Sequence, residues 1–278
     1  MRIVFLVIAS NDPLHENDLL TQRNTWAKSP PENITIVSLR GWENDYFFYS
    51  DNTLFVPCPE EYSLILQKTI LGTEYLVKNL DFDILIRSNV STYFDIPKLT
   101  AELDHPKYSR DFVGGYFDRT SKGYFDRTSW FEYISGTGIF MSLGAAKELS
   151  KLQWNDYLGV ADDVAIDNFF QKKNFRRIRM ARNNLASTHI FLPTFHIRAK
   201  SSSDNALASK RMFLLYGYFN AISKIARVES YVRIICLEFS AFFQQPESFY
   251  LFLAKNRVVF ISFLRMKRES LWLKFIQY

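Results

Sequence analysis

Two adjacent carboxylates, Asp162 and Asp163, stand directly before the apolar Val164 and open a stretch with a helical pattern. Neighbouring carboxylates repel each other, which raises the pKa of one of them and suits it to accept a proton as a general base. The same pair also suits a helix start, with Asp162 as the N-cap and Asp163 in the first turn. Taken alone, the two residues favour this capping interpretation.

Three side chains that carry or can acquire positive charge, His196, Arg198 and Lys200, occupy alternate positions. In an extended segment alternate side chains point to the same face, so the spacing predicts a row of cations. Arginine binds phosphate oxygens through its planar fork and lysine binds them as a point charge, so the row is typical of a diphosphate site. An exposed edge strand with solvated charges is the alternative, and both stay open.

The elements that must position these side chains are short apolar runs that alternate with helical stretches. The predicted strands are 2–9, 34–39, 54–56 and 83–87, and the predicted helices are 17–26 and 61–79. This order predicts an α/β domain with a mostly parallel sheet. In such sheets ligands bind at the carboxyl ends of the strands, which here lead into the polar residues 10–12 and 88–92.

Five short motifs follow one another in an order that resembles a known family. They are Ser10 after the first strand, Arg-Asn-Thr-Trp at 23–26, Leu-Ile-Leu-Gln-Lys-Thr at 64–69, the segment 133–140, and Asp-Asp-Val at 162–164. Their order and spacing are similar to those of the fringe and β-1,3-galactosyltransferase-like glycosyltransferases, which have the GT-A fold. The resemblance spans residues 3–200, most of the chain before its C-terminal tail.

The resemblance implies an inverting transferase that takes a sugar from a nucleotide diphosphate sugar, with uridine as the expected nucleoside, and passes it to a glycan or lipid-linked glycan. It implies Asp163, beside Asp162, as the base that takes the acceptor proton. The residues expected to bind the donor are Ser10, Arg23, Lys68, Asn89, Ser91, Gly136, His196, Arg198 and Lys200. Two structural alternatives stay open, Lys68 as a surface lysine and Gly136 as part of a tight turn.

One stretch departs from the family pattern. The family carries an Asp-x-Asp metal motif just after its fourth strand, where this chain has Asn89 and Ser91. An amide and a hydroxyl bind a divalent ion weakly and leave its charge uncompensated. His196 is a candidate counterpart of a late histidine that contacts the metal in the family, but with these neutral partners it makes a poor site. We therefore expect no required metal or other cofactor, with Arg198 and Lys200 neutralising the diphosphate.

The C-terminal part differs in composition from the rest. Residues 221–278 carry nine basic and four acidic side chains and thus the whole net charge of +5, since the preceding residues carry 25 of each. We predict a GT-A-like catalytic domain over 1–205 and a basic, aromatic-rich helical extension over 206–278, with helices at 206–243 and 247–277. Such helices either lie in a membrane interface or pack on the catalytic domain or a second subunit, and both alternatives stay open.

The composition excludes several other classes of protein. Two distant cysteines, Cys58 and Cys236, exclude a disulfide scaffold and a four-thiolate zinc site. No nucleic-acid partner is expected, because the excess of basic charge is confined to the tail. The chain has neither a phosphate-binding loop ending in Gly-Lys-Ser/Thr nor a Gly-x-Gly-x-x-Gly fingerprint, which disfavours kinases and dinucleotide enzymes.

Two further expectations concern location and the alternative function. With no visible signal or anchor, we expect a cytoplasmic enzyme of polysaccharide biosynthesis, held on the inner face of a membrane if the extension binds lipid. The alternative is a non-catalytic GT-A-like protein that binds a sugar nucleotide or a partner at the membrane surface. The neutral residues in place of the family's metal carboxylates motivate this alternative.

Overall fold

The computed structural model describes residues 1–120, 131–184, 194–200 and 207–243. Its strands are β1 (Ile3–Ile8), β2 (Ile34–Trp42), β3 (Phe48–Ser50), β4 (Thr53–Pro57), β5 (Ile84–Asn89), β6 (Thr92–Phe94), β7 (Val113–Thr120), β8 (Phe131–Ser142), β9 (Arg177–Arg179), β10 (Asn183–Asn184) and β11 (His196–Arg198). Its α-helices are α1 (Pro13–Asn24), α2 (Ile65–Asn79), α3 (Ile96–Leu103), α4 (Leu143–Leu149), α5 (Asp162–Lys172), α6 (Ala208–Phe219) and α7 (Lys224–Phe243).

An eight-stranded sheet forms the centre of the fold, in the order β3-β4-β2-β1-β5-β8-β7-β9. Strands β4, β2, β1 and β5 run parallel to one another, and β8 lies antiparallel beside β5. A second sheet, β10-β11-β6, places residues 196–198 antiparallel to residues 92–94. The predicted α/β class with a largely parallel sheet is confirmed.

Strands β1 and β5 occupy the middle of the large sheet because β1 is apolar on both faces and β5 is apolar from Ile84 to Ile86. All six residues of β1 are buried, and β5 stays buried from Ile84 to Ser88. Strands of this kind are typical of parallel sheets that are covered on each side. Ile8 pairs with Asn89, so the polar residues that follow the two strands meet at one edge, which we call the carboxyl edge.

Helix α1 begins at Pro13, four residues earlier than the sequence pattern predicted. Asp12 is its N-cap and accepts a hydrogen bond from the backbone N–H of Leu14 at 2.8 Å. Proline suits the first helical turn because the N–H that it lacks has no partner there. The turn from β1 to α1 is therefore tight, and the helix starts at the carboxyl edge.

Two helices, α6 and α7, stand where the sequence predicted one helix over 206–243. The break falls before Ser223, whose hydroxyl accepts the N–H of Ala226 at 3.1 Å and so caps the second helix. The predicted helix over 247–277 lies outside the described residues. No helix within the described ranges is long and apolar enough to cross a membrane.

Helix α6 packs on the α/β domain. It lies against α1 and β6, and its residues Ala208, Met212 and Leu215 are buried in the same apolar core as Phe5 of β1. The described start of the predicted extension therefore shares the core of the sheet. The domain boundary at residue 205 stays a prediction.

A buried carboxyl group links α6 to α1. The hydroxyl of Ser209 donates to Asp18 Oδ1 at 2.6 Å, and Asn17 Nδ2 donates to the same hydroxyl at 2.9 Å. Burial raises the pKa of Asp18 to about 6, although the Ser209 hydrogen bond and the charge of Lys200 act in the opposite direction. The ionised form is thus less favourable in the folded protein than in the unfolded chain.

We predict that Asp18→Asn raises the free energy of unfolding near pH 8 by roughly 2–3 kcal/mol and leaves it nearly unchanged near pH 4. The folded-state pKa of Asp18 lies above its unfolded-state value. The protonated carboxyl therefore stabilises the wild type fully below pH ~4, and this contribution is lost as the pH rises through about 6. The amide keeps an oxygen for Ser209 without a charge. Urea unfolding at the two pH values measures the effect, and an equal effect at both would contradict the assignment.

Candidate functional site

The backbone after β5 is held by one buried side chain of α1. Gln22 Nε2 lies 3.1, 2.7 and 3.1 Å from the carbonyl oxygens of Asn89, Val90 and Thr92. Just beyond the end of the helix, the indole N–H of Trp26 donates to the Thr92 carbonyl at 3.0 Å. These bonds fix the position at which β5 ends on the carboxyl edge.

The centre of the site is Arg87, a residue that the sequence analysis did not select. Its side chain is 2% exposed, and its guanidinium pairs with Asp162 Oδ2 at 2.5 Å. It also donates to Asn89 Oδ1 at 2.7 Å and to the carbonyl of Gly136. The signal in the sequence was an arginine directly after the apolar run 84–86, because a charge buried at the end of such a strand needs a partner.

Asp163 is held by two backbone N–H groups. The N–H of Gly136 donates to its Oδ2 at 2.9 Å, and the N–H of Val164 donates to its Oδ1 at 2.9 Å. Burial raises the pKa of the Asp163 carboxyl above its usual range, and the charge of Asp162 raises it further. The backbone hydrogen bonds and Arg87 act in the opposite direction. Asp163 is therefore a fixed carboxylate that accepts a proton more readily than a solvated one.

The predicted capping role of Asp162 is wrong. Helix α5 begins at Asp162 itself, its N-cap is Ala161, and no side chain caps it through a hydrogen bond. The Asp162 carboxylate instead turns to Arg87, since a buried guanidinium attracts it more strongly than a half-exposed helix end does. The two carboxylates thus share the first turn but have different partners.

Gly136 is required by the close approach of its neighbours. An added Cβ would lie 2.6 Å from Arg87 Nη1 and 3.2 Å from both Cβ and Oδ2 of Asp163. Any side chain at this position must therefore displace the arginine or the aspartate. The tight-turn interpretation is wrong, because Gly136 lies within β8.

We predict that Gly136→Ala lowers the free energy of unfolding by about 1–3 kcal/mol, because it overpacks a buried site. Turnover of the activity proposed below should fall with it, since Arg87 and Asp163 cannot both keep their positions. Thermal unfolding measures the first effect. Gly217→Ala is the control, because its added Cβ meets nothing closer than Ser230 Oγ at 3.3 Å. Equal stabilities for the two variants would contradict the close-approach argument.

His196 does not join Arg198 and Lys200 on an accessible face. It is fully buried and stacks on Phe94, with ring centroids 5.1 Å apart and ring planes 10° apart. Among the described residues, neither ring nitrogen has a well-formed hydrogen bond; burial and the charge of Arg182 lower the pKa of His196 to about 3, against the effect of the Thr137 backbone. The edge-strand alternative is also wrong, because β11 has β10 on one side and β6 on the other.

Arg198 and Lys200 are half-buried and lie beside the end of β5. The N–H of Ala199, between them, donates to the Ser91 carbonyl at 2.9 Å. The charges of Arg198 and Asp163 both act on the pKa of Tyr133, which burial raises, so these two groups lie around the same ring. The charge of Lys200 acts instead on His15. Arg198 and Lys200 thus flank Ser91, with Arg198 on the side of Asp163 and Lys200 on the side of His15.

Ser10 lies where β1 ends and is paired with a residue that the sequence analysis missed. Its Oγ is 2.6 Å from Nδ1 of His15, in the first turns of α1. Burial lowers the pKa of His15, and the charges of Lys200 and Lys68 lower it further, against Asp12 and Glu60. The imidazole is therefore neutral at neutral pH, and Ser10 is held in one orientation.

Lys68 is neither a surface lysine nor a free cation. Its side chain is 2% exposed and forms an ion pair with Glu60 at 2.8 Å. It also donates to the carbonyl of Ala9 at 2.8 Å, and Glu60 accepts the N–H of Gly41. The pair joins α2 to the ends of β1 and β2. Glu60 already compensates the charge of Lys68. Direct binding of the donor by Lys68 stays a prediction.

Arg23 lies in the last turn of α1, ten residues beyond Pro13 and so about 15 Å along the helix from the carboxyl edge. Its Nη2 donates to Thr53 Oγ1 at 3.0 Å and to Ser38 Oγ at 3.3 Å. These bonds tie α1 to β2 and β4. Arg23 therefore packs α1 against the sheet and lies away from the other candidate site residues at the carboxyl edge.

The residues at the end of β5 do not fit the divalent cation that the GT-A fold implies. The Asn89 side-chain oxygen already accepts a hydrogen bond from Arg87, and Ser91 is 5% exposed. The Arg87 guanidinium would repel a second cation at this position. No step of a reaction is therefore derived through a metal ion here.

Comparisons with known proteins bear on the fold. No protein-family model and no curated protein sequence matches the chain. The chain resembles the crystal structure of a glycosyltransferase involved in the glycosylation of the major capsid of PBCV-1, at 10% identity and a TM-score of 0.50, over 77% of this chain and 100% of that one. It also resembles the galactosyltransferase LgtC in complex with donor and acceptor sugar analogues, at 11% identity and a TM-score of 0.43, over 81% and 99% of the two chains. A third neighbour is the glycosyltransferase GlyE of Streptococcus pneumoniae TIGR4, at 8% identity and a TM-score of 0.44, over 84% and 64%.

At such low identities the likeness to the PBCV-1 protein concerns the fold alone. It confirms the expected GT-A-like α/β architecture. None of these comparisons supports the fringe and β-1,3-galactosyltransferase-like subfamily, which stays a prediction.

Proposed function

We propose that this chain is a glycosyltransferase that moves a sugar from a nucleotide diphosphate sugar to a glycan, with inversion at the anomeric carbon and Asp163 as the base. One observation carries the proposal: the Asp163 carboxylate is fixed by two backbone N–H groups, and its pKa is raised, at the carboxyl edge of a GT-A-like sheet. A positioned carboxylate of this kind suits the removal of a proton from an acceptor hydroxyl.

In the proposed step the acceptor hydroxyl gives its proton to Asp163 while its oxygen attacks the anomeric carbon. A carbon–oxygen bond to the acceptor forms as the carbon–oxygen bond to the diphosphate breaks on the opposite face. The electron pair of the broken bond leaves with the diphosphate. The carboxylate oxygens of Asp163 have lone pairs beyond those used by the two N–H groups, so they can accept this proton.

The leaving diphosphate gains negative charge, which Arg198 and Lys200 are proposed to neutralise. Both side chains are half-buried and flank Ser91, beside the end of β5. Charge-assisted hydrogen bonds in a partly water-excluded site are stronger than in bulk water. This arrangement supports transfer without a metal ion, which is part of the proposal.

The remaining donor contacts are assigned to polar groups at the ends of β1 and β5. Ser10, which His15 orients, follows the end of β1. Asn89 ends β5 and pairs with Ile8 of β1, so both residues lie at the carboxyl edge. We propose a uridine diphosphate sugar as the donor and a glycan or lipid-linked glycan as the acceptor. The basic segment beyond residue 246 is proposed to hold the protein at a membrane surface.

The second candidate function is sugar-nucleotide or partner binding without transfer. It is favoured by Asn89 and Ser91, which stand where the resembled family keeps carboxylates, and by the use of Asp162 in an ion pair with Arg87. The two candidates differ in one respect that can be measured. A binding protein would be stabilised by a sugar nucleotide without breaking it down.

The experiment is a screen of nucleoside diphosphate sugars against the full-length protein, first by thermal unfolding and then by release of the nucleoside diphosphate. We expect one donor to stabilise the fold by about 2.7 kcal/mol at a hundredfold excess over its Kd. The same donor should release its nucleoside diphosphate faster with protein than in buffer. Stabilisation without release would favour the second candidate.

A further inference from the structure

Three oxygen atoms of different chemistry converge on the guanidinium of Arg87. They are a carboxylate oxygen of Asp162, the side-chain amide oxygen of Asn89 and the backbone carbonyl oxygen of Gly136. Carboxylate, amide and carbonyl oxygens are also the ligand types that hard divalent cations prefer in proteins. The surroundings of this buried guanidinium therefore have the donor chemistry of a cation site.

Arg87 and Asp162 compensate each other without any further ion, and the neighbouring Asp163 carboxylate is held by backbone N–H groups. The side chain of Arg87 is 2% exposed and that of Asp162 is 15% exposed, so neither charge is fully solvated. One guanidinium offsets one carboxylate and also supplies hydrogen bonds to the two neutral oxygens. A divalent ion beside Arg87 would be repelled by the guanidinium, and the charge of Asp162 would already be compensated.

We propose that Arg87 is a built-in cation that replaces a divalent metal ion at the carboxyl edge. The inference rests on the proposed function only for the expectation that a metal ion belongs at this place. The guanidinium holds oxygen atoms of Asp162, Asn89 and Gly136 around a single positive centre. Because Gly136 donates its N–H to Asp163, Arg87 acts on the base through this glycine as a positioning residue.

The proposal predicts that the wild-type chain excludes divalent cations and that removal of the arginine creates a site for them. The probe is Mn²⁺, followed by the electron paramagnetic resonance signal of the free ion in titrations of the full-length protein. We expect wild type and Asp162→Asn to bind equally little. Arg87→Ala should bind Mn²⁺ at least tenfold more tightly than wild type, and the added mutation Asp162→Asn should remove that gain.

A second pair of variants separates charge from packing. Arg87→Lys keeps the positive charge and Arg87→Gln replaces it with a shorter neutral amide, so only the glutamine variant should gain Mn²⁺ binding. Circular dichroism establishes that each variant is folded. Equal Mn²⁺ binding by the lysine and glutamine variants would overturn the proposal.

The comparison of wild type with Asp162→Asn tests the proposal even if no Arg87 variant folds. Micromolar binding of Mn²⁺ by wild type, abolished in Asp162→Asn, would show that the carboxylate serves a metal ion and would overturn the proposal. Equal, weak binding by the two proteins is the expected result. These readouts are binding measurements, so they stand apart from the donor screen and from the presence or absence of transfer.

Discussion

Asp163→Asn is expected to lower the turnover of sugar transfer by about 10²–10⁴ while leaving the fold and donor binding nearly intact. The amide keeps one acceptor oxygen, so it can hold one of the N–H groups of Gly136 and Val164 and leaves the other without its present partner, at a modest cost in stability. It cannot take the acceptor proton as a carboxylate does. Nucleoside diphosphate release measures turnover, and thermal stabilisation by the donor measures binding.

Asp156→Asn is the matched control, because Asp156 is exposed and lies outside the carboxyl edge. It should transfer sugar at the wild-type rate. Asp162→Asn tests the neighbouring carboxylate. This variant loses the ion pair with Arg87, so we expect its turnover to fall together with its free energy of unfolding. A folded Asp163→Asn variant with near-wild-type turnover would remove Asp163 from the mechanism, and a folded but dead Asp162→Asn variant would move the base to that residue.

The second large effect is expected at the two cations beside Ser91. Arg198→Ala and Lys200→Ala should each lower turnover by about 10²–10³, the range seen when one positioned group that stabilises developing charge is removed. Turnover of the wild type should persist in a chelator, since the proposed neutralisation uses side chains. Turnover with and without chelator for the wild type and both variants is the measurement.

Lys78→Ala is the control for the loss of a positive charge, because Lys78 is exposed on α2 and pairs only at the surface with Glu74. It should leave turnover unchanged. A wild-type rate that collapses in chelator and returns with Mn²⁺ would contradict the cationic mechanism. Wild-type turnover in both Arg198→Ala and Lys200→Ala would contradict it as well.

The sheet was predictable because its signals are local. Apolar runs such as residues 3–8 are buried on both faces wherever a parallel sheet forms, and their polar ends mark the carboxyl edge. Alternation was less informative. It correctly describes residues 196–198 as extended, but it does not say which face is turned to the core, and His196 is buried against Phe94.

The centre of the site was not predictable from spacing, because its contacts join distant parts of the chain. Arg87 and Asp162 are separated by 75 residues, and the Gly136 carbonyl that completes the arrangement lies between them in sequence. Lys68 illustrates the same limit within 8 residues: its partner Glu60 precedes the helix, so no helical pattern shows the ion pair. Only the fold brings such pairs together.

The carboxyl edge, with Asp163 as its base, is proposed to break the bond between a sugar and a nucleoside diphosphate. The most direct measurement is nucleoside diphosphate release from the donor that stabilises the fold, with pooled glycan acceptors and a chelator present. We predict release by the wild type that exceeds release by Asp163→Asn at least a hundredfold. A donor that binds but is released intact, equally by both proteins, would contradict the claim and leave a binding protein with a transferase fold.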